Sequence, residues 1–395
     1  MGRVALTTRP MKMITKTAEL ADACDALLQC DFIAVDTEFM RETVYWPALC
    51  LIQAAGGDTE VIIDPLADGI DLEPFWEVMA DDRVMKVFHA ARQDLEIFFH
   101  LGEHLIPTPM FDTQVGAMAL GLGDSIAYDG LVRSFLKRSI DKGPRFTDWS
   151  RRPLSQKQLD YAIADVTHLR DLYPIMRERL EAKKRDAWLA EEMAVLTRAE
   201  TYRLEPEDAW KRLKLRKTHP KWVAGLRAAA CWREREAQTR DMPRQRVMKD
   251  DALYEIAAVA PLKPDDLSGL RGVPKGFERS KPAERLYEIM KTAMADPEAY
   301  APKVEKPAPP PSGIGPTVEL LKVFLKLLAE DAGVASRLIA TVPDLEKIAA
   351  DDKADIPAMH GWRREVFGDP ALRLKKGEIS LALEDGKVVA KDLKG

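Results

Sequence analysis

Three apolar runs follow one another closely between residues 32 and 64: FIAVDTEF, ALCLIQAA and TEVIID. Each has strand length and is rich in β-branched or aromatic residues, and short connections read as a meander. A fourth strand, VMKVFHA, feeds straight into ARQDLEIFFHL, where Ala91, Leu95, Phe98 and Leu101 recur at helical spacing. A helix, TAELADACDALLQC, precedes the first strand, and a long one runs from about Ser155 through Leu180. Strands alternating with helices restrict residues 13–202 to an α/β domain.

The first strand ends in acid, with Asp36 and Glu38 in the pattern D-x-E. Side chains two apart on a strand share a face, so these carboxylates finish the row begun by Phe32 and Ala34. Asp94 sits between Ala91 and Phe98, inside the apolar stripe of its helix. An unpaired carboxylate there costs several kcal/mol, so it needs a cation or a strong donor; Lys86 and Arg92 are ordinary candidates for that role. In LSQKQLDYAIADVTHLRDLYP, Tyr161 and Asp165 are four apart and project together. Taken singly each acid has a bland explanation as a salt bridge or a solvated face. Taken together, four acids from one strand end and two helices suit two hard divalent cations with oxygen ligands, which is the equipment of phosphoryl chemistry. A neighbouring phenol would orient the attacking water.

At 395 residues the chain exceeds what one core usually organises. After Trp210 the strand signals vanish. KTHPKWVAGLRAAACWREREAQTRD, MKDDALYEIAAVAP and KPAERLYEIMKTAMA read as helices, so residues 203–296 form a small all-helical domain. A Pro-rich linker over 297–316 follows. Residues 317–395 begin a second helical module and close on a hairpin at Asp385-Gly386. Net charge is only −5, but 14 Lys or Arg face 6 Asp or Glu between Arg203 and Lys249, a local basic island. Four cysteines form no C-x-x-C pair, which suggests free thiols in a reducing compartment. No apolar run approaches a membrane span. Residues 1–12 look like a leader without signal features, and the expectation is a cytoplasmic monomer.

VDTEF, HAARQDLEIF and YAIAD resemble the three motifs of the DEDD 3′-to-5′ exonucleases, in the branch with tyrosine four residues before the last Asp. VDTEFMRE, FDTQ, TDWSRRPLS and YAIADV are similar to the ribonuclease D family, and AACWREREAQTRDMPR resembles its HRDC domain, a helical nucleic-acid-binding module. The resemblance spans most of the chain. It implies an α/β ribonuclease-H-like exonuclease domain, a mixed sheet flanked by helices, followed by two small all-α HRDC-like domains. It places metal ligands for two divalent ions, Mg²⁺ or Mn²⁺, on Asp36, Glu38, Asp94 and Asp165, and a water-orienting role on Tyr161. The implied substrate is RNA with a free 3′ end, transfer-RNA precursors in particular.

Around these residues the reading stays open. Phe39 and Met40 could pack against the terminal base or merely fill core. His89 could contact phosphate or ribose, or cap its strand. Gln53, alone in an apolar strand, either reaches the site or satisfies a backbone group. Arg133, Lys137, Arg138, Lys142, Arg145, Arg151 and Arg152 form a basic run before the tyrosine helix, from which Lys142 and Arg145 are singled out for the phosphodiester backbone. Trp232 reads as core, whereas the basic island favours RNA. Competing readings are a DNA exonuclease, a non-catalytic scaffold retaining the fold, and an aspartyl phosphatase, the last weakened by the missing D-x-D.

Overall fold

The computed structural model describes residues 13–141, 143–304 and 311–393. Residues 1–12, Lys142 and part of the 297–316 linker therefore lie outside the described residues.

Six strands form one mixed sheet: β1 (Met13–Ile14), β2 (Phe32–Met40), β3 (Ala48–Gly56), β4 (Thr59–Ile63), β5 (Met85–Phe88) and β6 (Met110–Asp112), in the order β1-β4-β3-β2-β5-β6. The expected meander is β2-β3-β4, antiparallel throughout, while β5 and β6 add on parallel to β2. β1 and β6 are two and three residues long, too short to show any periodicity in the sequence.

Helices α1 (Thr17–Leu27), α2 (Glu73–Ala80), α3 (Arg92–Leu101), α4 (Thr113–Ala119), α5 (Tyr128–Leu136), α6 (Gln156–Ala182) and α7 (Asp186–Leu196) surround the sheet. Ser155 opens α6 with a capping box: its side chain accepts from the Gln158 backbone N–H, and Gln158 Oε1 accepts from the Ser155 N–H at 3.0 Å. α6 packs across β2, β3 and β4. Phe32 meets Tyr173 of α6 with ring centroids 4.7 Å apart, so the row Phe32, Ala34, Asp36, Glu38 lies on the α6 side of the sheet.

The basic run before α6 mostly serves this architecture. Arg152 makes a bidentate pair with Asp64 at 2.6 and 2.7 Å and donates to the Cys50 carbonyl at 2.7 Å, fastening the turn to the sheet. Arg138 pairs with Asp171, Arg151 with Asp148 and Arg133 with Asp129.

The helical region after Arg203 has its own apolar core, built from helices Pro220–Thr239, Asp250–Val259 and Lys281–Ala295. Trp232 is 1% exposed and its indole N–H donates to the Pro282 carbonyl at 2.8 Å, a core residue as expected. Trp222 is also buried, stacked parallel to Tyr254, whose ring also meets the Arg216 guanidinium and whose hydroxyl donates to the Lys214 carbonyl at 3.0 Å. The island is partly neutralised from within: Arg212 and Arg244 pair with Glu234, Arg233 with Asp250, and Arg235 with Glu207. Contact with the sheet domain runs through the loop after β2. Tyr45 and Trp46 N–H groups both donate to Asp241 at 2.9 Å, and the Tyr45 hydroxyl donates to buried Glu234 at 2.5 Å.

The linker region includes a short helical turn, Pro297–Tyr300, because Asp296 caps it by accepting from the Ala299 N–H at 3.0 Å. The C-terminal helical module, opening with Ile314–Ala332, shares one continuous apolar core with the sheet domain. Trp188 of α7 stacks on Trp362 at 3.9 Å, and Arg363 bridges to Glu191 and Glu192. The hairpin Ile379–Glu384 with Lys387–Asp392 turns at Asp385 and Gly386, both with positive φ, so this module is not purely helical.

Candidate active site

β2 carries Asp36 and Glu38 to its end, and α6 lays Asp165 over them. One carboxylate oxygen from each of these three residues lies within 4.8 Å of the others. Asp94, in the first turn of α3, stands just beside this trio and accepts a hydrogen bond from the Thr37 hydroxyl at 2.5 Å. Thr37 thus answers the question of Asp94's donor. Lys86, a suggested partner, is fully buried elsewhere and donates to the carbonyls of Asp81, Val84 and Thr108.

The turn that presents α3 is held by Asp112. Its carboxylate accepts from the N–H groups of Ala90 at 3.0 Å, Ala91 at 2.9 Å and Gln114 at 2.8 Å. Ala90 has φ of 58°, a conformation that three-residue clamp stabilises. Asp112 lies in the FDTQ motif, and its role is to place Asp94.

Electrostatically the site is frustrated. Burial, then the charges of Asp94, Asp165 and Glu38, hold the Asp36 carboxyl well above its usual range. Burial, followed by Asp165 and Asp94, pushes Glu38 up to about 8. Burial likewise pushes Asp94 and Asp165 up to about 7. Asp165 Oδ1 is buried with no hydrogen-bond partner among the described residues. A dense set of hard, under-compensated oxygen donors fits divalent cations with a preference for oxygen.

Around the acids lies a cavity of about 430 Å³, lined among others by Phe39, His89, Tyr128, Arg145 and Tyr161. Tyr161 leans on Asp165 one helical turn away; burial and then the carboxylate charges raise its phenol, so it stays protonated. Arg145 projects from the turn Gly143–Phe146, and its charge acts on both Glu38 and Asp165. Among the described residues of the basic run, it is the member that lines the cavity. The Thr113 hydroxyl donates to the Phe88 carbonyl at 2.9 Å, so it accepts from His89 Nδ1 at 3.0 Å. That leaves Nε2 as the acceptor, on a ring that burial keeps neutral.

One suggested contact falls away from this constellation. Met40 does not line the cavity; it lies past the register shift that leaves Cys50 of β3 without a partner on β2, and it packs against the apolar core. Lys142 lies outside the described residues. Conversely, sequence reasoning missed Tyr128, whose hydroxyl donates to the Asp165 backbone carbonyl and whose ring packs on His89 at 5.1 Å. It also missed Thr37, although a hydroxyl between two acids at a strand end is a usable signal.

Two family models match the chain: the 3′-5′ exonuclease over residues 11–181, and the HRDC domain over residues 225–286. Ribonuclease D of Nitrobacter hamburgensis is 52% identical over 379 residues, covering 96% of this chain and 99% of that protein. Ribonuclease D of Granulibacter bethesdensis is 48% identical over 380 residues, covering 95% of each. Among solved structures, Escherichia coli RNase D, described as an exoribonuclease involved in structured RNA processing, superposes with a TM-score of 0.79. It is 28% identical, and the match covers 93% of this chain and 99% of that one.

Proposed function

Since the chain belongs to the ribonuclease D family and is a 3′-to-5′ exoribonuclease, we propose that Asp36, Glu38, Asp94 and Asp165 are its metal ligands. In this reading they hold two divalent ions, Mg²⁺ or Mn²⁺. The observation that carries it is the trio of carboxylate oxygens within 4.8 Å with Asp94 buried beside them. Bound there, the cations would activate water and offset charge on the leaving oxygen.

The chain's own residues supply the rest. The protonated Tyr161 hydroxyl orients the water that attacks phosphorus, and the bond to the 3′ oxygen of the penultimate ribose breaks, releasing a 5′-mononucleotide. Arg145 offsets charge on the scissile phosphodiester. Phe39 gives the terminal base an apolar face, and His89 Nε2 accepts from a ribose hydroxyl. Sheet-domain residues 13–202 do the chemistry. The helical regions 203–296 and 317–395 grip structured RNA upstream, transfer-RNA precursors among its substrates. The chain works as a cytoplasmic monomer; no helix among the described residues is long and apolar enough to cross a membrane.

A 5′-labelled RNA stem with a single-stranded 3′ tail tests this. Stepwise shortening from the 3′ end in Mg²⁺ or Mn²⁺, stopped by EDTA and by Asp165→Asn, is the expected result. Products independent of divalent ions would refute the metal assignment, and equal degradation of the matching DNA would remove the RNA preference.

A further inference from the structure

Gln53 interrupts the apolar strand β3 and is 0% exposed. Neither its Nε2 nor its Oε1 has a hydrogen-bond partner among the described residues. A buried amide left unsatisfied forfeits its hydration with nothing in return, and an apolar side chain of similar length would avoid that cost. The position of the amide gives it a use. Gln53 stands directly opposite Asp36 in the antiparallel ladder. Directly opposed residues place their side chains on the same face, with Cβ atoms about 4.5–5.5 Å apart. A glutamine side chain reaches across that gap by rotation about its own χ angles. The same face, beneath α6, holds the other orphan of the site, Asp165 Oδ1.

We propose that Gln53 is a positioning residue of the metal centre: its Nε2 donates to the Asp36 carboxylate when divalent cations are bound, fixing that carboxylate in its ligating orientation. The inference rests on the reading of Asp36 as a metal ligand. Gln53 touches neither substrate nor cation. It acts as outer partners of metal ligands do, tuning affinity through the ligand they hold.

Mn²⁺ titration calorimetry on the full chain, wild type against Gln53→Met, tests this with metal-free Tm measured alongside. The expected result is an affinity for Mn²⁺ about tenfold weaker, with a metal-free Tm equal to or above that of wild type. The half-saturating Mn²⁺ for hydrolysis should move by the same factor while kcat at saturating Mn²⁺ stays within about twofold. A folded Gln53→Met protein with wild-type Mn²⁺ affinity overturns the proposal and leaves Gln53 a plain buried orphan. A wild-type protein that binds no Mn²⁺ refutes the ligand reading first, and this inference with it. If the variant does not fold, the Mn²⁺-loaded wild-type crystal structure decides. Nε2 within about 3.2 Å of an Asp36 oxygen supports the proposal, and a separation beyond about 4 Å overturns it.

Discussion

The Thr37 hydroxyl donates to Asp94 Oδ1 at 2.5 Å, joining the strand that bears two acids to the helix that bears the third. Removing this donor while keeping the shape isolates its contribution. Thr37→Val is expected to lower cation affinity about 10- to 100-fold, the usual effect of losing an outer hydrogen bond to a ligand. Thr37→Ser should stay near wild type. Mn²⁺ titration of both variants checks the ordering.

Activity and metal-free stability should move in opposite directions at Asp36. Its carboxyl is buried among Asp94, Asp165 and Glu38. Asp36→Asn removes one member of that repulsive set, so Tm in EDTA should rise by a few degrees. Hydrolysis should fall on the order of 10³-fold, as expected when several kcal/mol of transition-state charge stabilisation are lost. Thermal melts and single-turnover assays on one preparation measure both.

The pH dependence follows from the raised carboxyls. Glu38 is pushed to about 8, chiefly by burial, and Asp94 and Asp165 to about 7. The unfolded chain titrates these groups near pH 4, so the folded, metal-free state holds more protons between about pH 4 and pH 8. Its stability is therefore fully present below about pH 4 and declines as pH rises through 7 to 8. Divalent cations require the deprotonated ligands. The rise in Tm on adding Mn²⁺ should be small at pH 6 and larger at pH 8, as differential scanning at both values will show. A shift that shrinks with pH would contradict the electrostatic account.

Only part of the basic island should contribute to RNA affinity. Lys221 and Arg240 are exposed and have no carboxylate partner among the described residues. Their joint replacement by Ala should weaken RNA binding and reduce the salt dependence of binding by about one to two ions. Arg233 is buried and paired with Asp250, so Arg233→Ala should instead lower Tm. Filter binding across a salt series separates these effects from melting.

Three of the four clustered acids were legible because they broke a local pattern. Asp36 and Glu38 ended an apolar strand on one face, and Asp94 sat inside an apolar helical stripe. The meander and the long helix α6 were visible through periodicity. What stayed hidden depends on tertiary register. Arg145 and Arg152 belong to one basic run, yet only the fold sends one to the cavity and the other to Asp64. Lys86 was a reasonable partner for Asp94 by sequence distance, but its side chain points to a nest of three carbonyls. Tyr128 announces nothing in sequence, since its contact is to a backbone carbonyl 37 residues away. Trp232 was read as core and is core, and Trp222 beside the basic island is likewise consumed by the helical core.

An anomalous difference map of crystals grown with Mn²⁺ would locate the ions themselves. Two peaks are expected, coordinated among them by Asp36, Glu38, Asp94 and Asp165. Absence of both peaks, or Mn²⁺ bound away from these four carboxylates, would contradict the metal assignment.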